Sequence, residues 1–398
     1  MESTRALPGV EVVRGWASDF SPGDKTISIE GLFEKPLATT TGEDEALVPD
    51  KEHAFSLAYD HLVVAVGSFS QTFNCPGVIE HAFILKDISD ARRIRRRILE
   101  RFEEAALPTV SQARKRDLLH FAVVGGGPTG IELSAELHDL LHEDIPKAYG
   151  KELADLAKIT VFDVAPTILG AFDTTLQAYA RAQFARQNIE ILTSHHVERI
   201  EEDAIVTKEE GRIPVGMVVW STGLAPNTFV SGPLAREFKD QGVNRKVVLD
   251  DRTKSLNVDN YLRVQAQPSD GKTPPLPMPG VFAIGDCAVV EGKHLPATAQ
   301  VASQEALWLA KTLNKRGKMK ESGARVVNDL VEVNGQKPFV FRSMGIMAYV
   351  GSWTAITQTG KVDVKGRLAW LLWRTAYLSK SVSWRNRLLL PVYWSVGP

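Results

Sequence analysis

The run "FAVVGGGPTGIELSAELHDLL", residues 121–141, constrains the fold of this chain more than any other stretch. An apolar strand pattern leads directly into Gly125-x-Gly127-x-x-Gly130, and a helical pattern follows without a break. Each glycine has its own task in such a turn. Gly125 makes the tight bend, Gly127 lets the backbone approach a pyrophosphate, and Gly130 lets helix and strand pack closely. The amino terminus of the helix then faces the phosphate charge. Three glycines alone are a weak signal, but the strand before them and the helix after them point to a dinucleotide site.

A site of this kind expects an acidic residue at the end of the next strand, where it binds ribose hydroxyls. Asp163 closes that strand, "KITVFDV" at 158–164, although it lies 33 residues after Gly130 rather than about 20. The polar segment "HEDIPKAYGKELADL" absorbs the excess as an extended helix and loop. No Lys or Arg occurs between Asp163 and Arg181, so nothing nearby suits a 2′-phosphate and NADH is favoured over NADPH.

With 398 residues the chain has room for two or three domains and a substantial core. Lys and Arg number 47 against 48 Asp and Glu, which leaves no global electrostatic case for a nucleic-acid partner. Cys75 and Cys287 are the only cysteines, with no C-x-x-C and no Cys/His cluster of metal spacing. That excludes a disulfide scaffold, a structural zinc site and a close-set redox cysteine pair, and no metal is expected. No uninterrupted apolar stretch approaches the ~20 residues that span a bilayer. The first twenty residues lack the charged-then-apolar layout of a signal peptide, and Glu2 argues against a mitochondrial presequence.

Residues 10–66 alternate short β-like runs with turns, which predicts an antiparallel meander ending in a buried strand, "HLVVAVG". Residues 39–54 read as a polar, acidic loop. Residues 87–106 read as a helix ended by Pro108, its arginine run a solvated face because Glu100, Glu103 and Glu104 follow within two turns. Further on come "VVWSTGLAPN" (218–227), a proline-rich connector (271–280), the buried strand of "VFAIGDCA" (281–288) and a helix over about 297–314.

Read together, "VVGGGPTGIELSAEL", "VVWSTGLAPN", "VFAIGDCA" and "LPATAQVASQEALWLA" closely resemble the type II (alternative) NADH:quinone dehydrogenases of mitochondria, from about residue 59 onward. The resemblance implies an α/β flavoprotein with two dinucleotide-binding domains, a Rossmann-like FAD domain carrying an inserted NADH domain, followed by an amphipathic carboxyl-terminal segment. The family's FAD domain opens with its own strand, glycine turn and helix. None precedes Gly125, so we expect an amino-terminally incomplete FAD domain. The expected division is 1–115 as FAD-domain remnant, 116–250 as NADH domain, 251–315 as returning FAD segment and 316–398 as membrane-association region.

The resemblance also assigns residues. Gly67 and Gly223 would mark the crossings between domains, and Gly285 and Asp286 would stand at the end of a buried strand, the carboxylate accepting from ribityl hydroxyls. Ala299, Gln300 and Gln304 match the family's A-Q-x-A-x-Q pattern beside the flavin ring and quinone pocket. The two glutamines share a helix face at i, i+4, and they equally suit the surface of an amphipathic core helix. The helix amino terminus would put positive potential near the flavin pyrimidine. Glu132 resembles the family's acidic residue near the nicotinamide, a candidate for proton handling. It reads equally as an amino-terminal carboxylate favoured by the helix dipole. The implied reaction is hydride transfer from NADH to FAD and then of two electrons to ubiquinone, without proton pumping.

Residues 364–398 hold six basic residues and no acidic one, with Trp370, Trp373, Trp384 and Trp394. In "GRLAWLLWRTAYLSKS" apolar residues cover most of a helix while Arg367 and Arg374 share one stripe, a pattern that suits an anionic membrane interface or a terminal helix packed on the core. Peripheral residence at the mitochondrial inner membrane and a homodimer are the family's implications. Two rivals stay open: a sulfide:quinone oxidoreductase, which needs two cysteines facing the flavin, and a non-catalytic NADH-binding protein of the membrane surface.

Overall fold

The computed structural model describes residues 9–36, 45–240, 242–321, 337–360, 362–380 and 384–396. The chain divides into two units, each assembled from two separate stretches: residues 1–69 with 224–343, and residues 70–223 with 344–398. These divisions fall just after Gly67 and directly after Gly223. They displace the expected boundaries, and backbone ladders give the reason. Strand Ala82–Ile84 pairs in parallel with Met217–Trp220, which draws residues 70–115 into the unit that contains the glycine turn. Strand Val243–Val247 pairs with Arg263–Pro268, which keeps 224–250 in the other.

The unit of residues 70–223 and 344–398 contains a five-stranded sheet in the spatial order Ala82–Ile84, Met217–Trp220, His120–Val124, Lys158–Asp163, Ile189–Thr193. All four pairings are parallel. His120–Val124 is buried at every position, as expected of a central parallel strand covered on both faces. The chain leaves it toward Lys158–Asp163 on one side and returns beside it with Met217–Trp220 on the other, which makes a switch point at the carboxyl end of the strand. Helix Ile88–Ala106 packs Ile94, Ile98, Phe102 and Ala105 into the core. Asp87 caps it in a reciprocal capping box with Asp90, and its arginines meet carboxylates as expected of a solvated face, Arg96 with Glu100 and Arg101 with Glu104.

The carboxyl-terminal stretch joins this same unit. Strands Ile346–Tyr349, Ala355–Gln358 and Asp363–Gly366 form an antiparallel sheet, and Ala348, Tyr349, Val350 and Ile356 are buried in the core that contains Phe121 and Ile131. Helix Arg367–Lys380 lays Trp370 and Trp373 against that core and leaves Leu368, Leu371 and Leu372 exposed. The exposed aliphatic side chains of this helix are therefore leucines, with these two indoles turned inward. Helix Trp384–Val396 follows, with Pro391 inside it and Leu388 and Val392 exposed. The side chains of Trp384 and Trp394 lie outside the described residues. No described helix is long and apolar enough to cross a membrane.

In the unit of residues 1–69 and 224–343, strands Gly15–Ser21, Thr26–Pro36 and Glu45–Ala58 form the expected antiparallel meander. Residues 45–54, expected in a loop, instead extend the third strand, because Gly31–Pro36 offers a continuous ladder to Glu45–Asp50. Residues 39–44 of that expected loop lie outside the described residues. Strand Leu62–Val64 pairs in parallel with the end of Leu276–Ala283. That strand absorbs the last residues of the proline-rich connector, since Leu276 and Pro277 pair with Ala266 and Gln265. Helix Ala299–Glu321 runs longer than expected and buries Val301, Glu305, Leu309 and Thr312 on one stripe.

Candidate active site

The glycine turn is built as its sequence requires. Gly125 has φ +118°, and a Cβ there would stand 2.3 Å from the carbonyl oxygen of Ser221. A Cβ on Gly130 would stand 1.9 Å from the carbonyl oxygen of Gly125 and in contact with Val123, so the helix can approach the strand only without a side chain. Around Gly127 no atom lies within 4 Å of the Cβ position, the open space a pyrophosphate needs. Helix Pro128–Asp139 begins on Gly127 with no side-chain cap and with proline in its first turn, which leaves its amino-terminal dipole open to an anion.

Asp163 ends its strand beside this turn. Its Oδ2 accepts a hydrogen bond from the Gly126 N–H, and its Oδ1 accepts from the Ala165 N–H at 2.7 Å. The longer loop before Asp163 is compacted into three short helical pieces, Leu140–Asp144, Ile145–Tyr149 and Lys151–Ala154, so the extra sequence leaves the strand end in register. The residues present fit an NADH held with its pyrophosphate at Gly127 and a ribose at Asp163.

Glu132 sits one turn into the same helix and is turned toward the carboxyl-terminal stretch. Its Oε1 accepts from the backbone N–H of Tyr349 at 3.1 Å and from the indole Nε1 of Trp373 at 3.2 Å. Desolvation raises its pKa, and these two bonds offset part of the rise. Glu136 and Asp139 continue the stripe at i+4 and i+7. Glu136 is pushed up to about 7 by desolvation, then by the charges of Asp139 and Glu132. Burial would raise Asp139, yet bonds from His138, Tyr349 Oη and the Ser352 N–H outweigh it and hold Asp139 low. Arg374 stacks on Trp370 with its guanidinium 4.7 Å from the ring centroid, and its charge partly relieves Glu136. Sequence reasoning singled out Glu132 and missed Glu136 and Asp139, although a carboxylate stripe at helical spacing was there to be read.

The second cluster lies wholly within the unit of residues 1–69 and 224–343. A cavity of about 100 Å³ is lined by Ser68, Thr253, Ser255, Gly285, Asp286, Thr298, Val301 and Glu305, among others. Gly285 turns at φ +72° after the buried strand and delivers Asp286, whose Oδ2 accepts from Ser68 Oγ at 3.2 Å. The donors and acceptors suit the hydroxyl-bearing arm of a flavin. The size matches one part of such a ligand, because whole ligands occupy roughly 300–1,000 Å³.

Gln300 and Gln304 are not among the lining residues; the i, i+4 pair that reaches the cavity is Val301 and Glu305, one step round the helix. Gln304 uses both ends of its amide on one neighbour: Nε2 donates to the Arg342 carbonyl at 2.9 Å and Oε1 accepts from the Arg342 N–H at 3.1 Å. Ala299 is the exposed first residue of the helix. Sequence reasoning missed Glu305 and Ser68. Glu305 left one trace, a lone carboxylate on the apolar stripe between Val301 and Leu309.

The cysteines behave as structural thiols. Cys287 is 1% exposed, with Sγ donating to the carbonyl oxygens of Ile284 and Val64, and burial raises the pKa of both Cys287 and Cys75. Neither is set up as the thiolate that a sulfide oxidase would need. No group of His, Cys, Asp and Glu among the described residues could hold a metal ion.

Residues 14–306 match the family of pyridine nucleotide-disulphide oxidoreductases, and residues 344–396 match the NDH2 C-terminal domain. A probable NADH dehydrogenase of Dictyostelium discoideum is 35% identical over 99% of this chain and 76% of its own. The mitochondrial external NADH-ubiquinone oxidoreductase 2 of Saccharomyces cerevisiae is 34% identical over 97% of this chain and 70% of its own. The solved structure of NDH2 from Plasmodium falciparum in complex with NADH superposes with a TM-score of 0.73, covering 94% of this chain and 80% of that one. At 22% identity that likeness is one of fold.

Proposed function

We propose, since this chain belongs to the pyridine nucleotide-disulphide oxidoreductases and within them to the type II NADH:ubiquinone oxidoreductases, that it oxidises NADH and reduces ubiquinone with FAD as its cofactor and without pumping protons. The observation that carries the reading is the joined geometry of Asp163 and the glycine turn, a ribose-binding carboxylate fixed on the backbone of the pyrophosphate loop. FAD, when bound, supplies the two-electron chemistry, taking hydride from NADH and passing electrons to the quinone.

The chain's own residues do the holding and the orienting. The open backbone at Gly127 and the helix starting at Pro128 receive the NADH pyrophosphate, while the Asp163 carboxylate discriminates against a 2′-phosphate by charge. Asp286, aimed by the Gly285 turn and steadied by Ser68, would hold the hydroxyl-bearing arm of the flavin. Gln300 and Gln304 are assigned to the quinone side, and Glu132 to proton handling near the nicotinamide. Glu132's desolvated carboxyl supports that role.

We assign the exposed leucines of Arg367–Lys380, with Leu388 and Val392 beyond them, to a peripheral membrane contact where ubiquinone is dissolved. Residence at the mitochondrial inner membrane is part of the same reading, supported by the mitochondrial relatives. The test is NADH oxidation coupled to a short-chain ubiquinone with FAD supplied, followed alongside the visible spectrum of the purified protein. Quinone-dependent NADH oxidation with flavin bands is the expected result. NADH binding with no flavin bands and no quinone reduction would instead favour a non-catalytic NADH-binding protein.

A further inference from the structure

Glu305 is 3% exposed, yet it stands in the wall of the cavity that contains Asp286. Its Oε2 accepts from the Gly285 N–H at 2.7 Å, and its other oxygen has no hydrogen-bond partner among the described residues. A buried carboxyl with one oxygen committed and one open to a cavity is costly unless a ligand or a proton completes it. The other lining residues are Ser, Thr, Gly, Pro and apolar side chains, so among the described residues that line the cavity Asp286 is the other titratable group. Two carboxylates in so small a space repel each other, and the Gly285 N–H is the single donor that offsets this for Glu305.

We propose that Glu305 binds the flavin as a neutral acid, its free oxygen carrying a proton that it donates to an oxygen of the ligand, while Asp286 accepts from ligand hydroxyls. The pair divides the work of one cavity between a donor and an acceptor, as two carboxyls in unlike environments can. Burial, then the charge of Asp286, push the pKa of Glu305 up to about 7, so near neutral pH the acid form is held at little cost. Flavin binding then consolidates that proton, and affinity must fall as pH rises and the free protein loses it. The inference rests on the assignment of this cavity to FAD.

The experiment is a titration of flavin-free protein with FAD, followed by flavin fluorescence from pH 6 to pH 8. Infrared spectra of the flavin-free protein over the same range accompany it. The dissociation constant is expected to rise by about tenfold across this range, the most that one linked proton gives around an acid of that strength. Glu305→Gln, which keeps an acceptor for the Gly285 N–H and a permanent donor toward the cavity, should bind FAD tightly at both ends of the range. In the infrared, the protonated carboxyl band at pH 6 should be smaller in the variant by the share that Glu305 contributes and that fades by pH 8, the share of Glu136 remaining in both. FAD affinity that does not change with pH overturns the inference alone, as does the same pH dependence in the variant. No FAD binding at any pH overturns the cofactor assignment and the inference with it. Should the variant fail to fold, the FAD titration of the unaltered chain still decides: a dissociation constant that stays flat from pH 6 to pH 8 means that Glu305 brings no proton to the ligand.

Discussion

Glu132 and Trp373 lie 241 positions apart, and the indole Nε1 of Trp373 donates to Glu132 Oε1 at 3.2 Å. The helix that follows the glycine turn is thereby fastened to the helix that carries the exposed leucines. Trp373→Phe keeps the ring stacked on Tyr349 and removes only the donor. Leaving a desolvated carboxylate one bond short costs roughly 2 kcal/mol. Urea unfolding of the variant should show that loss, together with weaker NADH binding; unchanged stability would mean that solvent replaces the indole.

Asp163 should make the chain selective for NADH. Asp163→Asn keeps an acceptor for the turn and removes the charge, and should narrow the NADH preference by about tenfold, equivalent to ~1.4 kcal/mol. Fluorescence titration with both nucleotides measures this. Equal affinities in the unaltered chain would remove Asp163 from the ribose site.

Gln304→Ala breaks both hydrogen bonds to the Arg342 backbone, at a cost of about 1–2 kcal/mol. Assigned to the quinone side, it should also slow ubiquinone reduction more than the NADH-dependent step. Hydrogen exchange at the Arg342 amide reads the first effect and stopped-flow kinetics the second. Faster exchange with unaltered quinone kinetics would leave Gln304 a purely structural clamp.

Because the pKa of Glu305 is raised on folding, the stability it contributes is fully present below its unfolded value of 4.5 and is lost as pH climbs toward about 7. The total over that window is on the order of 3 kcal/mol. Glu136 acts in the same direction, less strongly because part of its side chain still reaches solvent, which screens the desolvation and the neighbouring charges. Glu305→Gln should flatten the decline between pH 4.5 and 7 in chemical denaturation. A slope equal to that of the unaltered chain would show that Glu305 is ionised throughout.

Leu371→Glu, on an exposed position of Arg367–Lys380, should weaken co-sedimentation with vesicles containing anionic lipid by several-fold while NADH binding stays unchanged. Equal co-sedimentation would move the membrane contact away from this helix.

Legibility in the sequence followed how local each cause was. The turn at Gly125–Gly130 could be read because the backbone itself demands glycine there, and Asp163 because strand ends have fixed neighbours. Residues 45–54 were misread because their polarity reports solvent exposure, whereas their conformation is set by a ladder to Thr26–Pro36. Glu305 was passed over because a carboxylate on an apolar stripe gains meaning only once the Gly285 N–H is placed against it. The inward turn of Trp370 and Trp373 depends on the rings of Trp353 and Tyr349 and on Glu132, 241 positions before Trp373, which no pattern within the helix encodes.

Neither unit is contiguous, and this bears on how the chain is made. A ribosome that has released residues 70–223 has delivered every strand of the parallel sheet, yet Tyr349, Ser352 and Trp373, the groups that cover Glu132 and Asp139, emerge only with the last part of the chain. Throughout synthesis the acidic face of Pro128–Asp139 therefore stays wet and charged. The unit of residues 70–223 and 344–398 reaches its final packing after translation of the other unit is complete, and a nascent chain stalled before residue 344 would be a ready substrate for chaperones or proteases.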